Sequence, residues 1–428
     1  MNRKSLLTII VLSLMVFGFT TVFETKAQAT PVKIGLLTPK TGSLGVLGQT
    51  FENGANLAIE DLNAMTNDYE FELVVQDTKT SADGAREAMN NLVTAGVSGV
   101  VGAAASSSTL AAMEAAKANK IPMISYASTS PAITTADDDG YLFRVVPSDA
   151  FQGKAAADLA DHLGLHNVAI IGIDDPYGQG LTGAFETAFK AKDSSNTIAI
   201  NRAYDQEKET DFASHVSAIK DADPDGVFMV SFVDDGASII NELYEQGVNV
   251  PVIGTDGIAT SGMFAKPGAN DSFIGVLGTA PKVTGTADFV AAYKAKYGED
   301  PGIFVAEAYD ATMLIGKAVM EAGSTDGADV KAALPTVGNN YQGVSGTITF
   351  DSNGDILGGT YDIWQAQKDE NGDGAIVVVG SWDATNGLTL DESKTVAKAT
   401  KATSPINLMP FLFALVLMIP LRKKLKKI

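Results

Sequence analysis

Short apolar runs of strand length alternate with stretches of helical periodicity along most of this chain, and this alternation restricts the fold more than any other feature. The strand-like runs lie at residues 32–38, 71–77, 99–103, 122–125, 167–173, 226–232 and 251–255. Between the first runs, apolar residues such as Phe51, Ala55 and Leu62 recur at the spacing of one helix face. Because such alternation is typical of parallel sheets covered by helices on both faces, the sequence predicts an α/β fold.

Two α/β series can be separated along the chain. The first runs from residue 32 to about 147, and the second from about 148 to 279. They are followed by helical stretches at 286–297 and 306–322, and by strand-like runs at 346–350, 360–367 and 375–382. Two such series in a chain of 428 residues predict two domains.

The first 29 residues have the pattern of a secretory signal peptide. Arg3 and Lys4 precede an apolar run at 6–23, and Ala27-Gln28-Ala29 forms an A-x-A cleavage pattern. The alternative is an uncleaved membrane anchor, because the run is nearly long enough to span a bilayer. We predict a signal peptide at 1–29 and a mature chain that begins near Thr30.

A second apolar run, at 406–421, is followed by five Lys and Arg residues. The positive-inside rule places these cations in the cytoplasm, so that the body of the protein would lie outside the membrane. Residues 406–428 are therefore predicted to be a membrane anchor or, alternatively, a cleaved sorting signal. The preceding residues 391–405 are rich in Thr, Lys, Ala and Ser and are predicted to be a linker.

Composition excludes several classes of function. The chain contains no cysteine, which excludes disulfides, thiol catalysis and an acylated cysteine anchor. The formal net charge is −20, and without the two end segments 23 Lys and Arg residues face 50 Asp and Glu residues, a balance of about −27. Because such a surface repels nucleic acid, we predict no nucleic-acid partner.

The motifs of common enzymes are missing or incomplete. The glycines of residues 42–48 are spaced G-x-x-G-x-x-G, which differs from the dinucleotide-binding fingerprint, and the sequence contains no P-loop. His162, His166 and His215 are predicted to be solvated surface residues, and no metal site is predicted. We therefore predict a protein without catalytic residues or a cofactor.

Four segments that directly follow strand-like runs carry candidate binding residues, because ligands of parallel α/β sheets bind beyond the carboxyl ends of strands. Ser106 opens a hydroxyl-rich helix start that suits a carboxylate, although an ordinary N-cap would need only one hydroxyl. Thr129 precedes a Ser-Pro helix start, and Tyr177 lies in a turn that could present its ring to a cleft. Asp256 is a lone carboxylate directly after the run at 251–255.

In this order, the segments resemble the type I periplasmic binding proteins, and in particular the branched-chain amino-acid (leucine/isoleucine/valine) binding family of ABC transporters. The resemblance covers about residues 31–390. It rests on VKIGLLTPKTGSLGVLGQTFENGANLAIEDLNA at 32–64, VGAAASSSTL at 101–110, PMISYASTSPAIT at 122–134, DDPYGQG at 174–180, VPVIGTDG at 250–257 and VAEAYDATMLIGKAV at 305–319.

The resemblance implies a site for the head group of an amino acid. Ser106 and Thr129 would hold the ligand's carboxylate. Asp256 and the backbone carbonyl near Ala127 would hold its ammonium, and Tyr177 would cover the ligand from the second lobe.

The side-chain pocket departs from the family pattern. Phe232 stands where members for branched-chain ligands often carry a second tyrosine, and Leu47 stands where they often carry an aromatic residue. The resemblance therefore implies that the head-group site is retained and that the specificity for the ligand's side chain is altered.

The resemblance also implies two doubly wound parallel-sheet lobes, joined by three crossovers, that close over the ligand. The first lobe would comprise residues 30–147 with about 280–358, and the second 148–279 with about 359–390. The partners would be the membrane permease and ATPase subunits of an ABC importer, which read the closure of a body anchored at the outer face of the cell membrane. The alternatives are a ligand-sensing receptor module of the same fold and the binding of an uncharged, amide-type solute.

Overall fold

The computed structural model describes residues 28–282 and 285–400 of the chain. Most of the predicted signal peptide at 1–29 and all of the predicted anchor or sorting signal at 406–428 lie outside these residues. Within the described ranges, no helix is both long enough and apolar enough to cross a membrane.

The first sheet is entirely parallel and follows the predicted alternation. Its strands are β1 (Thr30–Thr38), β2 (Tyr69–Asp77), β3 (Gly99–Val101), β4 (Met123–Ser125) and β5 (Leu142–Arg144), in the order β2-β1-β3-β4-β5. The helices between them are α1 (Gly45–Met65), α2 (Ala82–Ala95), α3 (Ser106–Ala118) and α4 (Pro131–Thr134). A helix joins each strand to the next, as parallel neighbours require, so the predicted α/β class is confirmed.

The second sheet is mixed. The later strands are β6 (Asn167–Ile173), β7 (Thr197–Tyr204), β8 (Gly226–Val230), β9 (Val252–Gly254), β10 (Leu277–Pro281), β11 (Tyr341–Gln342), β12 (Thr347–Ile348), β13 (Thr360–Lys368), β14 (Gly374–Asp383) and β15 (Gly387–Leu390). Among the described residues, β11 and β12 form a separate hairpin, and the others are ordered β15-β14-β13-β10-β9-β8-β6-β7. Strands β6 to β10 pair in parallel, whereas β13, β14 and β15 are antiparallel. The prediction of a parallel second sheet is wrong for these last three strands: β13 runs antiparallel to β10, and the short turns that join β13 to β14 and β14 to β15 link only antiparallel neighbours.

The later helices divide between the two sheets. They are α5 (Asp149–His162), α6 (Pro176–Lys192), α7 (Ala213–Asp221), α8 (Val233–Glu245), α9 (Ala269–Ser272), α10 (Ala287–Tyr297), α11 (Val305–Ala322) and α12 (Gly327–Val337). Helices α5 to α9 pack with the second sheet and with one another, whereas α11 returns to α1 and the first sheet. This return needs a glycine in β3, because a Cβ atom at Gly99 would lie 2.8 Å from Ile315 of α11.

We call the elements around the first sheet the first lobe and those around the second sheet the second lobe. In the described residues, the chain passes between the lobes before α5, before α10 and before β13. The lobes touch at one side of the cleft, where Ser130 Oγ donates to the Pro176 carbonyl at 2.6 Å. A Cβ atom at Gly180 of α6 would lie 2.7 Å from Pro131 Cδ, which shows how closely the lobes approach there. The cleft is therefore closed at this side.

Residues 391–399 pack against the second lobe, so the linker prediction is wrong for this part of 391–405. Gln365 of β13 exchanges hydrogen bonds of 2.9 and 2.8 Å with the backbone of Val396. Lys398 donates to the carbonyls of Val248 and Val250 at 3.3 and 2.8 Å, and burial lowers its pKa to about 8. The polar composition resembles that of a linker, but backbone and side-chain hydrogen bonds hold the segment in place.

Candidate functional site

A cavity lies between the two lobes, beyond the carboxyl ends of strands in both sheets. It is lined by Leu44, Leu47, Phe51, Ala104, Ala105, Ser106 and Ala127 from the first lobe, by Tyr177, Phe232, Asp256 and Gly257 from the second, and by Phe304 from the turn before α11. Five of the six predicted site residues therefore face one space, and Thr129 is the exception.

The start of α3 presents an uncapped helix terminus to the cavity. The N-cap residue is Ala105, which has no side chain that could accept a hydrogen bond from the first turn. The hydroxyl oxygen of the buried Ser106 accepts from the backbone N–H of Ser130 at 3.3 Å, so its proton remains available to another acceptor. Free N–H groups and a free hydroxyl proton at the positive end of a helix form a site for an anion.

Thr129 lies in the loop between β4 and α4, next to the cavity lining. Its carbonyl accepts from the backbone N–H of Asp149 at 2.9 Å and from Arg144 Nη1 at 3.0 Å. Its hydroxyl is buried and makes no well-formed hydrogen bond within the described part of the chain, although it lies near the Asp149 carboxyl group and opposes the rise of the pKa there. Because a buried hydroxyl without a partner costs free energy, this group is available to a ligand. Ala127, two residues earlier, does line the cavity.

Arg144, at the end of β5, holds this loop in place and was not identified from the sequence. Nε and Nη2 donate to the two carboxylate oxygens of Asp355, each at 2.7 Å. Nη1 donates to the carbonyls of Thr129 and Ser130 at 3.0 and 2.9 Å, and Nη2 also donates to Thr134 Oγ1 at 2.8 Å. All N–H groups of the buried guanidinium are thus committed, so Arg144 supports the site and does not itself bind a ligand.

Asp256 follows β9 and brings a buried carboxylate to the second-lobe side of the cavity. Its Oδ1 accepts from the Tyr177 hydroxyl at 2.9 Å and from Gln152 Nε2 at 2.7 Å. In the part of the chain that the structure describes, no donor reaches Oδ2, so this oxygen can accept from a ligand. Burial raises the pKa of Asp256 to about 6, while the bonds from Gln152 and Tyr177 oppose that rise.

A second buried carboxylate, Asp149, begins α5 beside Asp256. Neither of its carboxylate oxygens has a hydrogen-bond partner among residues 28–282 and 285–400. Burial and then the charge of Asp256 raise the pKa of Asp149 well above its ordinary value, and Arg144, already paired with Asp355, offsets this only in part. Asp149 does not line the cavity, and the rise of its pKa favours the neutral form of its carboxyl group, so the charge at this side of the cavity is that of Asp256. The sequence reasoning missed Asp149, because an acidic residue in the first turn of a helix is common.

Aromatic and aliphatic side chains close the rest of the cavity. The ring of Phe232 stacks on that of Tyr177, with 5.4 Å between centroids and 4° between planes. Phe304 has a φ of 63°, a left-handed conformation that is strained for a residue with a side chain. The backbone there turns the ring into the cavity, and nothing in the local sequence pattern indicated this role.

The histidines lie away from the cavity. His162 and His166 are exposed as predicted, but His215 is buried and bonds Glu209 Oε2 through Nε2 at 2.8 Å, so the prediction of a solvated residue is wrong there. No cluster of three or more His, Asp or Glu side chains suited to a metal occurs in the described residues. The cavity thus combines an uncapped helix start, the carboxylate of Asp256 and an apolar wall.

A family model described as "Periplasmic binding protein" matches residues 31–373 of this chain. The chain is 28% identical over 350 residues to the leucine-, isoleucine-, valine-, threonine- and alanine-binding protein of Pseudomonas aeruginosa, which covers 80% of this chain and 91% of that protein. It is 27% identical over 356 residues to the Leu/Ile/Val-binding protein of Escherichia coli, covering 80% of this chain and 94% of that one.

Solved structures of binding proteins also superpose on this chain. The leucine-binding protein of Thermotoga maritima superposes with a TM-score of 0.73 at 26% identity, over 82% of this chain and 99% of its own. The branched-chain amino-acid transporter substrate-binding protein of Streptococcus pneumoniae, solved in complex with isoleucine, gives a TM-score of 0.70 at 27% identity, again over 82% of this chain and 99% of its own.

Proposed function

This chain belongs to the periplasmic binding protein family, and from that premise we propose that it is the extracytoplasmic substrate-binding subunit of an ABC-type importer. It is a binding protein and not an enzyme. Its ligand is an amino acid of the branched-chain or aliphatic type, or a similar small zwitterion, captured between the two lobes. The observation that carries the proposal is one cavity with an uncapped helix start on one lobe and a buried carboxylate on the other.

The two charged ends of the cavity match the two charges of an α-amino acid. The ligand's carboxylate would accept from the first turn of α3, the Ser106 hydroxyl and the Thr129 hydroxyl. Its ammonium would donate to Asp256 Oδ2 and to the carbonyl near Ala127. Each half of the zwitterion then meets an opposite charge where little water competes.

The apolar wall supports an aliphatic ligand side chain. Leu47, Phe51, Phe232 and Phe304 offer no polar atom that would need a partner in the ligand. The relatives from P. aeruginosa and E. coli are named for binding leucine, isoleucine and valine. Phenylalanine at position 232 makes this side of the pocket wholly apolar.

Closure would be the signal that the transporter reads. A ligand held by Ser106 in the first lobe and by Tyr177 and Asp256 in the second has contacts to both lobes only when they are together. It therefore stabilises the closed state by its differential affinity for that state. Permease and ATPase subunits on other chains would recognise the closed form, with the lobes divided as 30–147 plus 280–358 and 148–279 plus 359–390.

We expect the chain without its two end segments, residues 30–400, to bind one molecule of L-leucine or L-isoleucine and to become more compact. Binding to the folded state alone should stabilise it by about 2.7 kcal/mol at a hundredfold excess of ligand over Kd. Thermal unfolding over a panel of amino acids identifies the ligand, and X-ray scattering with and without it measures the compaction.

Unchanged melting and scattering across the whole amino-acid panel would contradict this function. A response to amides but not to amino acids would instead favour the uncharged-solute alternative. The receptor alternative is separated by a transport assay, because a sensing module binds the ligand without supporting its uptake.

We further propose that residues 1–29 are a signal peptide and that residues 406–428 hold the protein at the outer face of the membrane. The support is the A-x-A pattern at 27–29 and the apolar run that ends in five cations. Deleting 406–428 should release soluble protein into the medium with unchanged ligand affinity, which fractionation and calorimetry would measure. Retention of the deletion variant in the membrane would indicate that the run at 6–23 is an uncleaved anchor.

A further inference from the structure

Gln152 is a fully buried amide directly behind the carboxylate of Asp256. It lies in the first turns of α5, and its Nε2 donates to Asp256 Oδ1 at 2.7 Å and to the Thr279 carbonyl of β10 at 3.0 Å. It does not line the cavity. Any effect of Gln152 on the ligand therefore passes through Asp256.

The orientation of the Gln152 amide is fixed by its two neighbours. The Asp256 carboxylate and the Thr279 carbonyl are acceptors, so the NH₂ group must face them and the Oε1 atom must face away. Oε1 is buried without a hydrogen-bond partner in the described residues, a cost that the chain tolerates at this position. Because β10 holds the amide from behind, Gln152 is a rigid donor and not a mobile side chain.

Both protein donors to Asp256 converge on the same oxygen. Tyr177 and Gln152 reach Oδ1 at 2.9 and 2.7 Å, and no donor from the described residues reaches Oδ2. We propose that Gln152 is a positioning residue that fixes Oδ1 of Asp256, so that Oδ2 faces the ligand's ammonium with its charge intact. This inference rests on the proposed function for its ligand, and on the contacts above for its geometry.

The hydrogen bond from Gln152 matters because the terminal torsion of an aspartate side chain is broad and roughly two-fold, so the carboxylate can rotate unless a donor holds it. Without Gln152, Asp256 could turn away from the ammonium or take up a proton. The titratable groups that face Asp256 are Asp149 on α5, Tyr177 on α6 and Tyr361 on β13, none of which is a cation. A donor to the carboxylate is therefore what keeps it ionised in this place.

The test compares Gln152→Met with Gln365→Met in the full-length protein. Gln365 is also a buried glutamine of the second lobe that donates to backbone carbonyls, those of Gly275 and Val396, but it lies far from the cavity. The probes are L-leucine and 2-hydroxy-4-methylpentanoate, which has a hydroxyl in place of the ammonium. Gln152→Met should weaken leucine binding about tenfold to hundredfold and the hydroxy acid much less, because a hydrogen bond to a charged group is lost. Gln365→Met should leave both affinities unchanged.

A second measurement does not depend on any ligand. Carboxyl ¹³C titration of the ligand-free protein, with Asp256→Asn to assign the signal, should show a higher pKa for Asp256 in Gln152→Met than in the wild type and no change in Gln365→Met. If Gln152→Met does not fold, Gln152→Asn withdraws the amide by one methylene and should act in the same direction.

Equal losses for leucine and the hydroxy acid, or an Asp256 that titrates as in the wild type, would overturn the positioning role and leave Gln152 as a packing residue. If the wild type binds neither probe, the proposed function fails on its own, and the titration still decides whether Gln152 controls Asp256.

Discussion

An Asp256→Ala variant should bind its amino-acid ligand about thirtyfold to several-thousandfold more weakly than the wild type, a loss of about 2–5 kcal/mol. Without the carboxylate, the ligand's ammonium would be buried opposite the Tyr177 hydroxyl and the Gln152 NH₂ group, which both donate. Most of the loss is the cost of leaving that ammonium unpaired. Calorimetry with L-leucine or L-isoleucine measures the effect.

Two further variants of cavity residues allow the affinity loss of Asp256→Ala to be compared with smaller losses. Phe232→Leu removes only apolar contact from the cavity wall and should cost about 1–2 kcal/mol. The affinity loss of Ser106→Ala should lie between those of Phe232→Leu and Asp256→Ala, because the N–H groups at the uncapped start of α3 can still bind the ligand's carboxylate. If Asp256→Ala binds as tightly as the wild type, the ligand is not an α-amino acid held in this way and an uncharged solute takes its place.

Asp256→Asn should separate binding from stability, because the two effects have opposite signs. Asparagine keeps an acceptor for Gln152 and Tyr177 but carries no charge toward the ammonium. Burial raises the pKa of Asp256 to about 6 in the folded state, so the wild type loses stability as the pH rises from about 4 through 6. The ligand-free Asp256→Asn protein should therefore melt higher than the wild type at pH 7, and this advantage should vanish below about pH 4.

The alternation of strand and helix patterns predicted the α/β class because strands covered on both faces are continuously apolar. In β1, all residues from Ile34 to Thr38 are buried, and this apolar run can be recognised in the sequence without knowing which strands pair with it. By contrast, β7 at Thr197–Tyr204 is an edge strand with mostly half-buried or exposed residues, so it carries no continuous apolar run and was not predicted. The antiparallel strands β13 and β14 were predicted as strands at 360–367 and 375–382, whereas β15 was not predicted, and the direction of a strand does not follow from its own composition.

The strand-end rule accounts for most of the candidate site. It located Ser106, Tyr177 and Asp256, which line the cavity, and Thr129, which lies next to it, whereas Ala127 and Phe232 were implied by the family resemblance. The rule works because the carboxyl ends of parallel strands in two facing sheets meet at the same cleft.

The residues that the rule missed are placed at the site by tertiary structure and not by a strand end. Asp149 and Gln152 begin a helix after a chain crossover and carry no local signal beyond an ordinary helix start. Phe304 depends on a left-handed backbone position, and Arg144 depends on a partner 211 residues away. Such contacts arise from tertiary structure, so a single sequence does not reveal them.

Arg144→Met should lower the free energy of unfolding by about 3–5 kcal/mol, the largest effect on stability that we expect from one substitution. The change leaves the buried Asp355 carboxylate without its two bonds of 2.7 Å, and it removes the guanidinium donor from the carbonyls of Thr129 and Ser130, which keep only a backbone N–H each. Denaturant unfolding of the ligand-free protein measures the loss. Because the loop that carries Thr129 loses its support, variant protein that remains folded should also bind the ligand more weakly.

An exposed ion pair provides the control. Lys294 and Asp300 lie 2.9 Å apart with most of both side chains in solvent, so Lys294→Met should change stability by less than about 1 kcal/mol. The double variant Arg144→Met, Asp355→Leu should recover part of the stability lost in Arg144→Met, because no charge is then left buried without a partner. It should not recover affinity, since the guanidinium that joins the carbonyls of Thr129 and Ser130 is still missing. An Arg144→Met protein as stable as Lys294→Met would show that water replaces the guanidinium at no cost, and that the loop is held by its neighbours alone.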